Sequence, residues 1–174
     1  MVTGPQISLK NISLSFGEEP VFDKLNLIIQ PRDRIALVGR NGSGKSTLLK
    51  VLKGLVAQDV GDRMLSKGLS IGYMEQDPNL SKFSTLFDYV YDGASDSTLH
   101  SIEMAEKNLG VDLEVTISAS SGGERRRAAL TKLIAGDHDV MLLDEPTNHL
   151  DIQAIEWLES ELKHSTKSFV IISH

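Results

Sequence analysis

Residues 39–46 read Gly39-Arg40-Asn41-Gly42-Ser43-Gly44-Lys45-Ser46, a glycine and four residues followed by Gly-Lys-Ser. Glycines at this spacing let successive backbone N–H groups turn inward as an anion nest, beside the positive end of a following helix. The chemistry that such a nest serves is polyphosphate binding. Lys45 adds a point charge for the β- and γ-phosphates, the Ser46 hydroxyl is a hard oxygen ligand for Mg2+, and Thr47 is a further phosphate donor. A second reactive pair, Asp144 and Glu145, closes the apolar run 140–143. In a parallel sheet these carboxylates emerge at the same edge as the glycine loop, where open α/β folds bind ligands. Asp144 is placed to hold Mg2+ through water, and Glu145 to orient and deprotonate an attacking water. Alone, an Asp-Glu pair after a strand more often caps a turn; joined to the glycine loop it reads as a hydrolytic pair.

The loop needs a strand before it and a helix after it, and both are present. Residues 35–38 form a short apolar run of the kind that fills a buried parallel strand. Leu48, Leu49, Val51, Leu52 and Leu55 recur at helical spacing, with Gly54 closing the helix. Upstream, Ile7, Leu9, Ile12, Leu14 and Phe16 alternate with polar residues, residues 17–20 look like a turn, and residues 21–29 follow as a second strand of an antiparallel side sheet. Leu69, Ile71 and Tyr73 alternate before Asp77 and Pro78, and residues 79–136 then turn helical. Residues 140–143 are a buried strand, Ile152, Ile155, Leu158 and Leu162 mark one face of a helix capped by Asp151, and residues 169–172 are a last strand. This interleaving predicts an α/β fold with a mainly parallel sheet covered on both faces. It divides into a core of residues 1–77 and 137–174 and a helical subdomain of residues 78–136.

Composition sets the outer limits. With 18 Lys plus Arg against 24 Asp plus Glu, the net charge of −6 argues against a nucleic-acid binder that relies on bulk electrostatics. The absence of cysteine excludes disulfides, thiolate metal sites and cysteine nucleophiles. No apolar run approaches the ~18 residues of a membrane span, so stable membrane insertion is not expected. Arg125, Arg126 and Arg127 are consecutive and fan around a helix, which favours solvated or ion-paired side chains over one basic stripe. His149 lacks the neighbours that a transition metal requires.

Two further segments narrow the class: Ser120-Ser121-Gly122-Gly123-Glu124, and Asp144-Glu145-Pro146-Thr147-Asn148-His149-Leu150-Asp151. With the glycine loop they resemble the ATP-binding cassette (ABC) superfamily, a P-loop NTPase fold, and the second segment is similar to its soluble ABC-F branch, with Uup-like members nearest. The resemblance implies ATP and Mg2+ as cofactors, with residues 39–47 around the phosphates and Phe16 stacked on adenine. Gln76 would touch Mg2+ and the attacking water, and His174 would contact the γ-phosphate and steady Glu145. Ser121, Gly122 and Gly123 would form a second nest that reads the γ-phosphate held by a partner cassette, in the same chain or a homodimer, with Asp151 coupling the two sites. The implied activity is Mg-dependent ATP hydrolysis in the cytoplasm by a head-to-tail cassette pair. Its alternatives are an ATP-gated binding module acting on ribosome, RNA or DNA, and the ATPase subunit of a membrane transporter. Ser120 stands where the family usually has Leu, and the short stretch between Gln76 and Ser120 leaves little room for the ribosome-reaching arm of many ABC-F proteins. Ending at the position of the family's switch histidine, the sequence is expected to be the N-terminal cassette of a longer protein.

Overall fold

The computed structural model describes residues 4–74 and 78–173. Its elements run β1 (Ile7–Phe16), β2 (Glu19–Ile29), β3 (Arg34–Leu37), α1 (Lys45–Lys53), β4 (Val60–Leu65), β5 (Ile71–Tyr73), α2 (Leu86–Tyr91), α3 (Asp96–Leu109), α4 (Gly122–Ala135), β6 (Val140–Asp144), α5 (Ile152–His164) and β7 (Ser168–Ile172). Strands β2, β1 and β4 form an antiparallel sheet in that order, and β3, β7, β6 and β5 form a parallel one. The architecture is thus the expected α/β type with a parallel sheet and an antiparallel side sheet. By contact density the chain falls into two compact units. The first comprises Met1–Tyr73, His138–Glu145 and Thr166–His174, and the second Met74–Asp137 and Pro146–Ser165. Helix α5, kept with the core in the division drawn from sequence, groups with α2, α3 and α4. Among the described residues no helix is long and apolar enough to cross a membrane.

In the first unit one apolar core joins both sheets through α1. Leu49, Val51 and Leu52 of α1 have no accessible surface and pack with Ile7, Leu9, Ile12 and Leu14 of β1 and with Val140, Leu142, Val170 and Ile172 of the parallel sheet. Each such side chain contributes about 1.5–3 kcal/mol on burial. Every residue of β6 is buried, as befits a central parallel strand. Helix α1 stops at Gly54, whose left-handed φ of 88° turns its N–H back onto the carbonyls of Lys50 and Val51 at 2.9 and 3.0 Å. The guanidinium of Arg63, on β4, donates from Nη2 and Nε to the Leu52 carbonyl at 2.7 and 3.3 Å, so the helix is tied at its negative end as well.

Strand β4 is absent from the sequence reading. Its Val60 and Met64 face solvent, and it exists through backbone pairing with β1 instead of through an apolar face. The parallel strand near Leu69 is shorter than its alternation suggested, because Leu69 donates its N–H into a turn with Ser66 at 3.3 Å. In α5, Ile152 is 75% exposed at the first helical position, and the buried stripe is Ala154, Leu158 and Leu162.

The second unit gathers the remaining helices. Its core joins Leu86 and Val90 of α2, Ile102 of α3 and Ala128 and Ala135 of α4. Capping boxes start α2 at Thr85 and α3 at Ser95.

Because α1 joins both sheets of the first unit, its packing should dominate the stability of that unit. Leu49→Ala is expected to cost about 2–5 kcal/mol in urea unfolding, and a loss below about 1 kcal/mol, the scale of an Ile→Val trim, would contradict the central position of α1.

Candidate active site

The loop between β3 and α1 turns on Gly44, the residue before the helix, at φ 85° and ψ 7°. A Cβ there would stand 2.7 Å from Cγ1 of Val21 and 3.2 Å from Cε1 of Phe22, so only glycine lets the loop lie directly against β2. The first helical bond runs from the Leu48 N–H to the Gly44 carbonyl at 2.8 Å. The amides of Lys45, Ser46 and Thr47 therefore have no helical carbonyl one turn earlier and form the positive end of α1. The Ser43 N–H closes the loop onto the Arg40 carbonyl at 3.2 Å, and Lys45 Nζ donates to the carbonyls of Gly39 and Arg40 at 2.7 and 2.9 Å. The ammonium is thereby held against the loop that it serves.

A cleft of ≈ 420 Å³ opens over this helix end, lined by Asn41, Gly42, Gly44, Lys45, Ser46 and Thr47 together with Phe16, Glu19, Val21 and Glu145. Phe16 ends β1 and is 57% exposed, so it is no core aromatic, and its ring is free to stack on a planar ligand. Glu19 and Val21 reach the cleft because β2 returns antiparallel beside β1. No residue pattern in β2 marks them; the signal is tertiary, the contact that Gly44 makes with Val21.

Asp144 ends β6 with only 1% of its surface exposed, and among the described residues neither carboxylate oxygen has a hydrogen-bond partner. A buried carboxylate left unpaired is costly, and a cation ligand would offset that cost. The hard oxygens of Asp144 and Ser46 fit Mg2+, which takes few protein ligands and keeps waters and phosphate oxygens. Among the described residues no cluster of three or more His, Cys, Asp and Glu offers a protein-only cage. Glu145 follows in a left-handed conformation, φ 48°, with its N–H donated to the Ile172 carbonyl at 3.1 Å. Such a backbone costs on the order of 1–3 kcal/mol for a residue with a side chain and tends to gather at functional sites.

In the second unit, Ser121 caps α4 through a complete capping box. Its Oγ accepts from the Glu124 N–H at 3.2 Å, while Glu124 Oε2 accepts from the Ser121 N–H and Oγ–H, both at 2.7 Å. These bonds from Ser121, side chain first and backbone second, hold the Glu124 carboxyl below the usual glutamate range, with the Arg127 charge adding to them. Ser120 is buried; its Oγ donates to the Ile117 carbonyl at 2.8 Å and accepts from Arg125 Nε at 2.9 Å. Serine and arginine thus fill together a place expected to take a leucine. Arg125 is therefore neither a free cation nor one of a basic stripe. Arg127 donates to the His149 carbonyl at 3.3 Å, and Asp151 caps α5 by accepting from the Ala154 N–H at 2.8 Å. Gln76 and His174 lie outside the described residues.

A family model described as ABC transporter matches residues 22–148. The ATP-binding protein Uup of Caulobacter vibrioides is 44% identical over 171 residues, covering 98% of this chain and 28% of that protein. Uup of Haemophilus influenzae is 38% identical over 208 residues, covering 97% of this chain and 32% of that protein. The chain therefore spans about three tenths of the length of these relatives. The second alignment is longer than the chain of 174 residues, so the Haemophilus protein carries residues in the matched region with no counterpart here. Among solved structures, an ATP-binding cassette captured as a dimer in a post-hydrolysis state with ADP and Pi aligns at a TM-score of 0.80 and 25% identity, covering 97% of this chain and 88% of its own.

The Glu124 cap has a pH consequence. With its folded pKa below the unfolded value, the carboxylate contributes stability to the start of α4 above the usual glutamate range and loses it as pH falls through the depressed value. Carbon-13 NMR should show Glu124 titrating below ordinary glutamates and Ser121→Ala returning it upward; an unchanged titration would contradict the hydrogen-bond origin of the shift.

Proposed function

The chain belongs to the ABC transporter family, and on that premise we propose that it is one cassette of an ATPase that binds ATP with Mg2+ and hydrolyses it as half of a head-to-tail pair. The carrying observation is the cleft of the first unit, which the glycine loop, Lys45, Ser46 and Thr47 at the helix end, and Glu145 line together. Loop amides and Lys45 take the triphosphate, and Phe16 offers its face to adenine. Ser46 and Asp144 would hold Mg2+, with Gln76 as a further ligand; when bound, the ion neutralises charge on the phosphate oxygens.

Glu145 accepts a proton from water as the water oxygen attacks the γ-phosphorus. The bond from that phosphorus to the bridging oxygen breaks, ADP leaves with the electron pair, and phosphate is released. Lys45 and the loop amides stabilise the charge spread over the transferring group, which is the larger part of such catalysis. In a head-to-tail pair, Ser121, Gly122 and Gly123 of the second cassette close over the γ-phosphate, and His174 steadies Glu145. The second cassette is either another copy or a further segment of a longer chain. The dimeric solved neighbour with ADP and Pi, and Uup relatives more than three times as long as the matched segment, support that pairing.

The Asn148-His149-Leu150-Asp151 segment and the similarity to Uup favour an ABC-F-type ATPase of the cytoplasm over a transporter subunit. Its companion reading is an ATP-gated binding module, in which the same cycle switches attachment to ribosome, RNA or DNA.

Glu145→Gln is expected to keep ATP binding, to lose about 10²–10⁴-fold in hydrolysis, and to accumulate ATP-dependent dimers in light scattering with Mg2+. Lys45→Ala should lose ATP binding itself. Hydrolysis at the wild-type rate by Glu145→Gln would contradict the role given to Glu145, and a variant that stays monomeric with ATP would contradict pairing between copies of this chain.

A further inference from the structure

Ser121 has two protons to donate, one on nitrogen and one on Oγ, and both go to Oε2 of Glu124 at 2.7 Å. Its Oγ in turn accepts from the Glu124 N–H at 3.2 Å. While this arrangement holds, the serine expected to read a phosphate has no donor left for one. We propose that Glu124 is a built-in competitor for the γ-phosphate at this nest, so that the chain's own carboxylate sets how tightly ATP joins two cassettes. This rests on the head-to-tail arrangement proposed above.

Helix α4 spans Gly122–Ala135, and its N-terminal positive end attracts an anion. The Glu124 carboxylate already fills that role from within the chain. An incoming γ-phosphate carries charge of the same sign, so it must displace the carboxylate from two charge-assisted bonds or bind beside it against repulsion. Space is not the obstacle. A Cβ on Gly122 would meet nothing within 4 Å, and one on Gly123 would come no nearer than 3.8 Å to the His149 Cβ, so the glycine side of the nest is open. Arg127, a turn further on, favours the ionised carboxylate and so supports the competitor in its charged form.

Charge and helix capping can be separated at this position. Glutamine keeps an oxygen to accept from Ser121 and preserves the capping box while removing the negative charge. A charge at a helix terminus is worth about two- to fivefold in an equilibrium constant. Since a symmetric pair contains two such sites, Glu124→Gln should tighten pairing by about four- to twenty-fivefold.

The test is sedimentation equilibrium of the full chain as Glu145→Gln and as Glu145→Gln with Glu124→Gln, each with Mg2+ and either ATP or ADP. The double variant should pair more tightly with ATP, show no gain with ADP, and lose much of its advantage at high salt. Amide exchange in the first turn of α4 should be alike in both, showing that the cap is kept. If Glu145→Gln pairs with ATP and the double variant pairs no better, the competitor role is wrong and the head-to-tail arrangement stands. If neither variant pairs, pairing between copies of this chain fails and the competitor role falls with it. An equal gain in ADP would mean a general charge effect and would also overturn the proposal.

Discussion

Everything at the candidate site depends on helix α1 being fixed along its axis. Its apolar residues are wedged between the antiparallel strand β1 and the parallel strands β6 and β7, and its carbonyl end is tied by Gly54 and by the Arg63 guanidinium. Only the amino end is left open, and it carries the glycine loop. A helix of 9 residues would be marginal in isolation, so the packing of the first unit is what keeps its amides aligned for an anion. Gly44 completes the arrangement by letting the loop touch β2 where a Cβ would collide with Val21.

Two carboxylates show how the same chemical group can be left in opposite states. Asp144 is buried with both oxygens lacking protein partners among the described residues, a condition that a cation ligand would relieve. Glu124 is saturated by its own capping serine. On the proposed reading, the first would draw a counter-charge into the site and the second would resist an added negative charge at the other nest. Glu145 lines the cleft from a left-handed backbone position and donates its N–H to the Ile172 carbonyl. In the proposed cycle these three environments divide the labour of holding, attacking and pairing.

Much of this could be read from residue order because the relevant signals are local. The glycine loop, the amphipathic spacing of α1 with Gly54 at its end, the unbroken apolar run of β6 and the Asp151 cap are each written in a few adjacent residues. What could not be read depends on contacts between distant segments. Strand β4 is an edge strand with outward apolar residues, so its existence rests on backbone pairing with β1. Val21 and Glu19 enter the cleft through the return of β2, and the Ser120 and Arg125 pair replaces a leucine by a hydrogen-bonded polar contact that no propensity scale describes. The left-handed Glu145 is a further case, since nothing in an Asp-Glu-Pro sequence announces a positive φ.

Phosphate groups, held by the amino end of α1 and Lys45, should dominate ligand binding. Calorimetric titration with ATP, ADP, AMP and adenosine in the presence of Mg2+ addresses it most directly. Each phosphate held by charge-assisted bonds should add about ten- to a hundredfold in affinity, so binding should fall steeply from ATP to ADP to AMP and vanish for adenosine. Comparable affinity for adenosine and ATP would place recognition on Phe16 and the base and rule out the helix end as the main source of affinity.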